Sequence, residues 1–213
     1  GTTRFRMLAP LRQFGQEQLA AAGEVPAASE RRAAAVLALA ERAEGHLRGA
    51  DQTRRLDALE RAHDDVRAVL TWAYETGATD LGLRLGASVW RFWYKRGYLG
   101  EGREHLTRLL AGAGAAVDPV VRAKALHAGG SIASRAGDLD DARRMLEESL
   151  ALRRAAGDDT AVAGTLNNLA GLLMQMGECA EARERYEESV ALKRLAGDRR
   201  GVALTLANMS SVA

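Results

Sequence analysis

The residues of this chain best able to do chemistry are four histidines, one cysteine, an acidic pair beside one of the histidines, and a short aromatic cluster. His46, His63, His105 and His127 fall on separate helical stretches without the pairing that a metal site needs, so structural roles are expected for each. The run His63-Asp64-Asp65 would suit a base steered by a carboxylate. No second half of such a site appears, and the polarity of a helix surface accounts for it. Cys179 stands where another copy of the same pattern has Leu139, so a buried apolar role is expected rather than a reactive thiol. Nucleotide chemistry by the common phosphate loop is excluded, because no GxxxxGK[ST] occurs. The glycines at 112–114 sit in a loop before Val117-Asp118-Pro119, with no strand ahead of them, and read as a linker. No catalytic residue, metal ligand or cofactor site is therefore expected.

The aromatic cluster "WRFWY" at 90–94 could stack a ligand, but at helical spacing beside Leu83 and Leu85 it reads as core. Composition supports helices throughout: three prolines, 5% aromatic residues and a dominance of Ala, Leu and Arg. Thirty basic against 28 acidic residues give a net charge of +2, which does not favour nucleic acid as a partner. A lone cysteine rules out an internal disulfide, and no apolar run approaches membrane-spanning length. A cytoplasmic location is expected from these features together. The sequence opens on Gly1 and stops at "NMSSVA" within a helical pattern, so a longer parent chain is expected.

The elements that must position these residues are announced by a repeat. "EESLALRRAAGD" at 147–158 returns forty residues later as "EESVALKRLAGD", and 16 of the 36 pairs between 138–173 and 178–213 are identical. A fixed period of this size signals stacked units, each unable to cover its own apolar face without its neighbour. A fainter copy lies upstream, and Gly97, Gly137 and Gly177 punctuate the three. Within a unit, Val162, Leu166, Leu169, Leu172 and Leu173 form one helical stripe over Thr160–Met176. A second stripe runs through Cys179, Ala182, Tyr186, Val190 and Leu192. Each unit is thus a helix, a turn and a helix, and a further first helix is expected from Ala203.

This pattern resembles the tetratricopeptide repeat. With Gly177 at the inter-helix glycine, Leu166, Leu169 and Leu173 fall at large apolar sites, Ala170 and Ala182 at small ones, and Tyr186 and Ser189 follow in order. The preceding unit offers Leu126, Gly130, Ala133, Ala142, Leu146 and Ser149. The closing proline is replaced by Arg154 and Arg194, and the units are six residues longer than usual. In this they resemble repeats of bacterial regulators and motor light chains. The resemblance implies an all-α, right-handed solenoid of helix hairpins.

Upstream, "TRFRMLAPLRQFGQEQLAAAGE" at 3–24 resembles the end of the winged-helix segment that follows the nucleotide-binding module of bacterial signal-transduction ATPases with numerous domains. Many of those proteins end in a LuxR-type DNA-binding element. A strand at Phe5 and Met7 and a helix with Leu11, Phe14 and Leu19 are expected there. The likeness continues through 30–49, 56–73 and 81–110, although Asp65 stands where Asn is usual. Residues 1–25 are thus expected to close a winged helix, 26–112 to form a helical region with degenerate repeats, and 113–213 to form the clearer repeats. Two apolar faces are expected in the middle region, one through Ala34, Leu37, Leu39 and Ala40, the other through Leu56, Leu59, Val66, Val69, Leu70 and Ala73.

In a stacked solenoid the first helix of each unit lines the concave side, where its outward positions can meet an extended peptide. Those positions are Arg91, Lys95, Lys124, His127, Ser131, Arg135, Asn167, Gly171, Met174 and Gln175. The likeness to peptide-binding repeats draws attention to Asn167, whose amide can donate to and accept from a backbone. The leading expectation is a regulatory arm of a larger ATP-dependent transcription regulator. Its partners would be a protein or peptide, a small-molecule inducer, and the nucleotide-binding module of its own parent chain, with no direct nucleic-acid contact and no membrane. The alternative is a stand-alone adaptor built on the same repeats.

Overall fold

The computed structural model describes residues 9–47, 49, 51–114 and 116–210. Among the described residues there are eleven α-helices and no strand. They are α1 (Ala9–Ala21), α2 (Val25–Glu44), α3 (Gln52–Arg61), α4 (His63–Thr76), α5 (Thr79–Arg96), α6 (Leu99–Ala111), α7 (Pro119–Ala136), α8 (Leu139–Ala155), α9 (Asp159–Met176), α10 (Cys179–Leu195) and α11 (Arg199–Met209). The strand expected at Phe5 and Met7 lies outside the described residues, while the helix expected to carry Leu11, Phe14 and Leu19 is α1.

The forty-residue period is written into both ends of the hairpins. Gly97, Gly137 and Gly177 close α5, α7 and α9 with φ of 85°, 92° and 81°, a left-handed turn that a Cβ would penalise. The next residue's N–H then donates back to a carbonyl in the last turn: Tyr98 to Trp93, Asp138 to Ala133 and Glu178 to Leu173. At the other end, Asp118, Asp158 and Asp198 cap α7, α9 and α11 by accepting from the N–H groups of Val120, Ala161 and Gly201 at 2.7, 2.9 and 2.8 Å. These caps place the start of α11 at Arg199, ahead of the position expected from the apolar stripe alone. Ser149 and Ser189 repeat as well, each donating at 2.7 Å across its hairpin, to the carbonyls of Ala123 and Ala163.

Two apolar cores result. The larger runs from α2 to α7 and contains Leu59, Leu70, Leu83, Leu85, Phe92, Trp93, Leu106 and Ile132. The second joins α7 to α10 through Leu146, Leu166, Leu169, Leu172, Leu173 and Ala182. The α2 face is carried by Ala33, Val36, Leu37, Ala40 and Ala43; Ala34 is exposed and Leu39 only partly covered, a shift of one position from the expected stripe. Leu56, Leu59, Val66, Val69, Leu70 and Ala73 are all buried in the larger core, but on two helices that part at Ala62. At the other end the register makes a direct comparison possible: Leu166 is 0% exposed beneath α10, whereas its counterpart Leu206 on α11 is 43% exposed.

Small residues set how closely paired helices approach. A Cβ on Gly130 would fall 2.8 Å from Leu146 Cγ and 3.1 Å from the Ala142 carbonyl oxygen, so α7 and α8 meet there almost backbone to side chain. Gly130→Val should therefore destabilise the chain by about 1–3 kcal/mol through overpacking, read as a lower urea midpoint. An unchanged midpoint would show that the α7–α8 pair can part without loss.

Candidate functional site

The first helices of successive hairpins, α5, α7, α9 and α11, line one long groove of about 880 Å³. Seven of the ten expected positions border it: Arg91, Lys95, Ser131, Asn167, Gly171, Met174 and Gln175. Arg91 rests its guanidinium 4.3 Å over the Trp90 ring, and Gln175 donates to Ser134 Oγ at 3.1 Å. Gly171 keeps the wall low, since a Cβ there would sit 3.5 Å from the Tyr186 hydroxyl. Arg135 is exposed beside the groove with its guanidinium 5.6 Å from the Tyr94 ring.

Three positions are used differently from expectation. Lys124 does not border the long groove; its ammonium pairs with Glu44 of α2 at 2.7 Å. His127 is buried, not outward, with Thr165 Oγ1 and Asn168 Nδ2 each 3.4 Å from a ring nitrogen and Trp90 edge-on at 5.8 Å. Ser131 reaches the groove wall but is itself only 8% exposed. It donates to the His127 carbonyl at 2.7 Å and accepts from Asn168 at 2.8 Å. The reason lies in how closely the first helices stack: a position that faces outward on one helix is partly roofed by the next.

The same roofing recurs one unit on. Asn167 occupies the register of His127, and its Oδ1 lies 3.1 Å from Thr205 Oγ1 and accepts from Asn208 at 3.2 Å. Thr165 and Asn168 on α9 thus do for His127 what Thr205 and Asn208 on α11 do for Asn167. Each such bond adds about 0.5–1.5 kcal/mol to the stacking of neighbouring units. Asn167 spends its oxygen within the chain. Its amide nitrogen lies 3.4 Å from Asn168 Oδ1 and keeps a second N–H that can meet a backbone carbonyl.

Further groove residues were not singled out by sequence, namely Ser134, Asn168, Lys193, Arg200 and Asn208, and Trp90 and Tyr94 were expected to be core alone. Asn168, Lys193, Arg200 and Asn208 were recoverable from the period, because each occupies a register position shared with a neighbouring unit. The aromatic cluster divides. Phe92 and Trp93 are core at 0% exposure, Trp90 is also buried in that core but has an edge on the groove, and Tyr94 is partly buried along it. Helical spacing cannot separate these roles until the partner helices are placed. Among the described residues, the charged side chains bordering the groove are Arg91, Lys95, Lys193 and Arg200 against Asp198, so its wall is basic although the chain as a whole is nearly neutral.

A compact cluster of titratable groups, built around a buried histidine, lies away from the groove. His63 is buried and bonds through Nε2 to Glu101 at 2.7 Å, so surface polarity does not account for it. Arg67 takes the other oxygen of Glu101 through Nη2 at 2.6 Å and Nε at 3.0 Å. Burial pushes the Glu101 carboxyl up, but the hydrogen bonds from Arg67 and His63, with their charge, outweigh it and hold the group below the ordinary carboxylate value. His63 also packs edge-on to Phe92 and against the tilted ring of Tyr98. The cluster ties α4 to α6 and borders neither the groove nor the smaller crevice between α7 and α9. Among the described residues no three His, Cys, Asp or Glu side chains gather as a metal site, and no helix is long and apolar enough to cross a membrane. Cys179 is exposed at the start of α10, contrary to the expected buried role; the same register position is only partly covered where the longer Leu139 occupies it, so it lies at the edge of the core.

Residues 122–159 and 162–199 match the family model of the tetratricopeptide repeat. The chain carries tetratricopeptide-like repeats. Among solved structures, a point variant of a candidate kinesin light chain with nearly identical TPR-like repeats, from Podosopora anserina, is similar at TM-score 0.64. The two are 17% identical over 85% of this chain and 84% of that one. The same protein without that change gives 0.58 at 16% identity, covering 85% and 94%. BtubC (BKLC) from P. vanneervenii gives 0.55 at 20% identity over 75% of this chain, which spans 65% of BtubC's length. No curated protein matches the sequence. At these identities the likeness is one of fold: an all-α solenoid of helix hairpins. Tandem repeats of this kind are protein-interaction modules whose stacked first helices present an extended surface.

Proposed function

We propose that this chain is the regulatory arm of a larger ATP-dependent transcription regulator, without catalysis of its own, and that its groove takes an extended segment of a protein partner. The observation that carries the partner-binding half is the continuous groove along α5, α7, α9 and α11, walled by polar and basic side chains over a backbone held rigid by repeated caps. The regulatory half rests on the resemblance of residues 3–110 to the region that follows the nucleotide-binding module in such proteins. It is supported by α1, where Leu11 and Phe14 are 58% and 59% exposed and so offer an apolar face to a neighbouring module. A switch of this kind works only if the arm has different affinities for the module and for the partner in the two states.

The test is ATP turnover by the parent protein carrying Arg91→Ala, Lys95→Ala and Gln175→Ala together. These side chains border the groove without filling the core, so helix content should be unchanged. Basal or partner-stimulated turnover should shift by about fivefold or more if the arm is coupled to the module. Unaltered turnover with intact partner capture would overturn the regulatory reading and leave an adaptor.

A further inference from the structure

A crevice of about 220 Å³, separate from the long groove, lies between the start of α7, the end of α8 and the start of α9. Its apolar wall is Val120, Ala123, Leu152, Ala156 and Ala161. Three charged side chains also border it: Lys124, Arg153 and Asp158. Lys124 is already met by Glu44 at 2.7 Å, so the two that bear on a ligand are Arg153 and Asp158. One unit on, Thr160, Gly164 and Gly201 stand in the register of Val120, Lys124 and Ala161, and that junction is part of the long groove. A separate crevice therefore belongs to the first of these junctions.

Its two charges are held apart, and each is only half used. Arg153 Nη1 donates to the Ala161 carbonyl and to Oγ1 of the buried Thr165, both at 2.8 Å, so the guanidinium is anchored from within the fold. The edge formed by Nε and Nη2 has no partner among the described residues. That edge is the fork that takes a carboxylate through two parallel bonds. Asp158 accepts from the Ala161 N–H through Oδ1 at 2.9 Å, and its Oδ2 has no partner among the described residues. No ion pair joins the two side chains, yet they feel each other: burial pulls the Arg153 guanidinium below its ordinary value, and the charge of Asp158 opposes it. A neighbouring cation and anion that do not pair leave room for a molecule carrying both opposite charges at short spacing.

Few molecules do so and also fit an apolar wall. An α-amino acid sets its carboxylate and its ammonium on one carbon, and its side chain leaves in a third direction. With the carboxylate on Arg153 and the ammonium on Asp158, that side chain meets Val120, Leu152 and the alanines. Volume sets the size, because 220 Å³ is below the roughly 300–1,000 Å³ of pockets for drug-sized ligands and holds one amino acid rather than a stretch of peptide. We propose that the crevice is a receptor for a free aliphatic amino acid of leucine's size. Such a site needs neither the groove nor the regulator context.

The test is isothermal titration calorimetry of the chain with L-leucine and three relatives: 4-methylpentanoate, which lacks the ammonium, leucinamide, which lacks the carboxylate, and glycine, which lacks the side chain. Leucine should bind once per chain with a Kd at or below about 1 mM, and each relative about tenfold or more weakly. Asp158→Asn keeps a helix cap and removes the charge. It should weaken leucine about tenfold and leave 4-methylpentanoate undiminished. Arg153→Met, which keeps the apolar stem, should weaken leucine as much and leave leucinamide undiminished. Asp198→Asn, the same change one unit on, should bind leucine as the parent chain does. Circular dichroism should show the same helix content throughout; were Arg153→Met to lose helix, Asp158→Asn and the ligand series decide. Leucine binding weaker than about 1 mM, any relative bound as tightly as leucine, or full leucine affinity in Asp158→Asn would each overturn the proposal. Because neither peptide capture nor ATP turnover is read here, the regulatory reading stands or falls separately.

Discussion

Trp93→Ala is expected to lower the unfolding free energy by about 3 kcal/mol. Trp93 is 0% exposed on α5 and fills space that two glycines open for it. A Cβ on Gly102 would lie 2.7 Å from its Cε3, and one on Gly86 would lie 3.9 Å from its Cη2. The other ring face stacks on His105, with centroids 6.1 Å apart and planes 18° from parallel. Truncation therefore leaves a hole bounded by α5, α6 and Ile132 of α7, which the short aliphatic neighbours Ile132 and Leu106 can fill only in part. Losses of about 3–5 kcal/mol accompany such Trp or Phe truncations. The lower end applies here because Trp93 Nε1 has no partner among the described residues, and removing it relieves part of that cost. Urea unfolding followed by circular dichroism should show a lower midpoint. Trp93→Phe, which keeps a ring, should lose much less. Hydrogen exchange should place the loss in α5 to α7, with α9 and α10 little changed, since a solenoid transmits stability between neighbours only. Equal losses in Trp93→Ala and Trp93→Phe would show that the indole edge, not its volume, matters.

Glu101→Ala is expected to lower stability by about 2–3 kcal/mol at pH 7, and that loss should shrink in acid. The bond to His63 dominates, because His63 is 6% and Glu101 19% exposed at the side chain, and removing the carboxylate leaves a buried ring nitrogen unmet. Arg67 is 45% exposed and can turn to water, so its share is small. Because Glu101 is held below its ordinary value of 4.5, the unfolded chain takes up that proton first as pH falls. The stabilisation is complete above about pH 4.5 and is lost as pH drops through the folded value. His105 adds a second window of the same sign. Burial, the largest influence on it, keeps its pKa below 6.5, so the neutral ring is the stable folded form and stability falls as pH descends below that value. His105→Phe, which preserves a ring between Trp93 and Tyr74, should flatten the upper part of the profile, and Glu101→Ala the lower part. Urea midpoints between about pH 3 and 8 would show this. A Glu101→Ala deficit as large at the acid end of that range as at neutrality would sink the account.

Much of the architecture was legible in the sequence because its period is local. Gly137 and Gly177 end helices for a reason confined to one residue's backbone, and Asp158 and Asp198 start them for a reason confined to three. The repeated glycines at 137 and 177 therefore fix the hairpin bends and the "GD" at 157–158 and 197–198 the junctions between hairpins, and with the apolar stripes of Leu166 to Leu173 they determine helix pairs and their order. The same logic predicted the polar row along the first helices. It overreached at His127 and Ser131, which the stacking of α9 over α7 covers, and at Cys179, whose register suggested burial.

Only tertiary structure decided what the rows of residues do. Helical spacing gave Trp90, Phe92, Trp93 and Tyr94 one description. The placement of the neighbouring helices buried Trp90, Phe92 and Trp93, left Tyr94 partly covered, and brought only Trp90 and Tyr94 to the groove. The pairing of His63 with Glu101 spans 38 residues and follows no pattern within one helix. Arg153 and Lys193 each meet a threonine hydroxyl of the following helix, a contact that nothing within their own helices announces. Charge and hydrophobic pattern along a chain determine which face a residue occupies, since they depend on its own helix. Whether that face meets solvent, a neighbouring helix or a partner depends on distances between helices, and no single helix contains them.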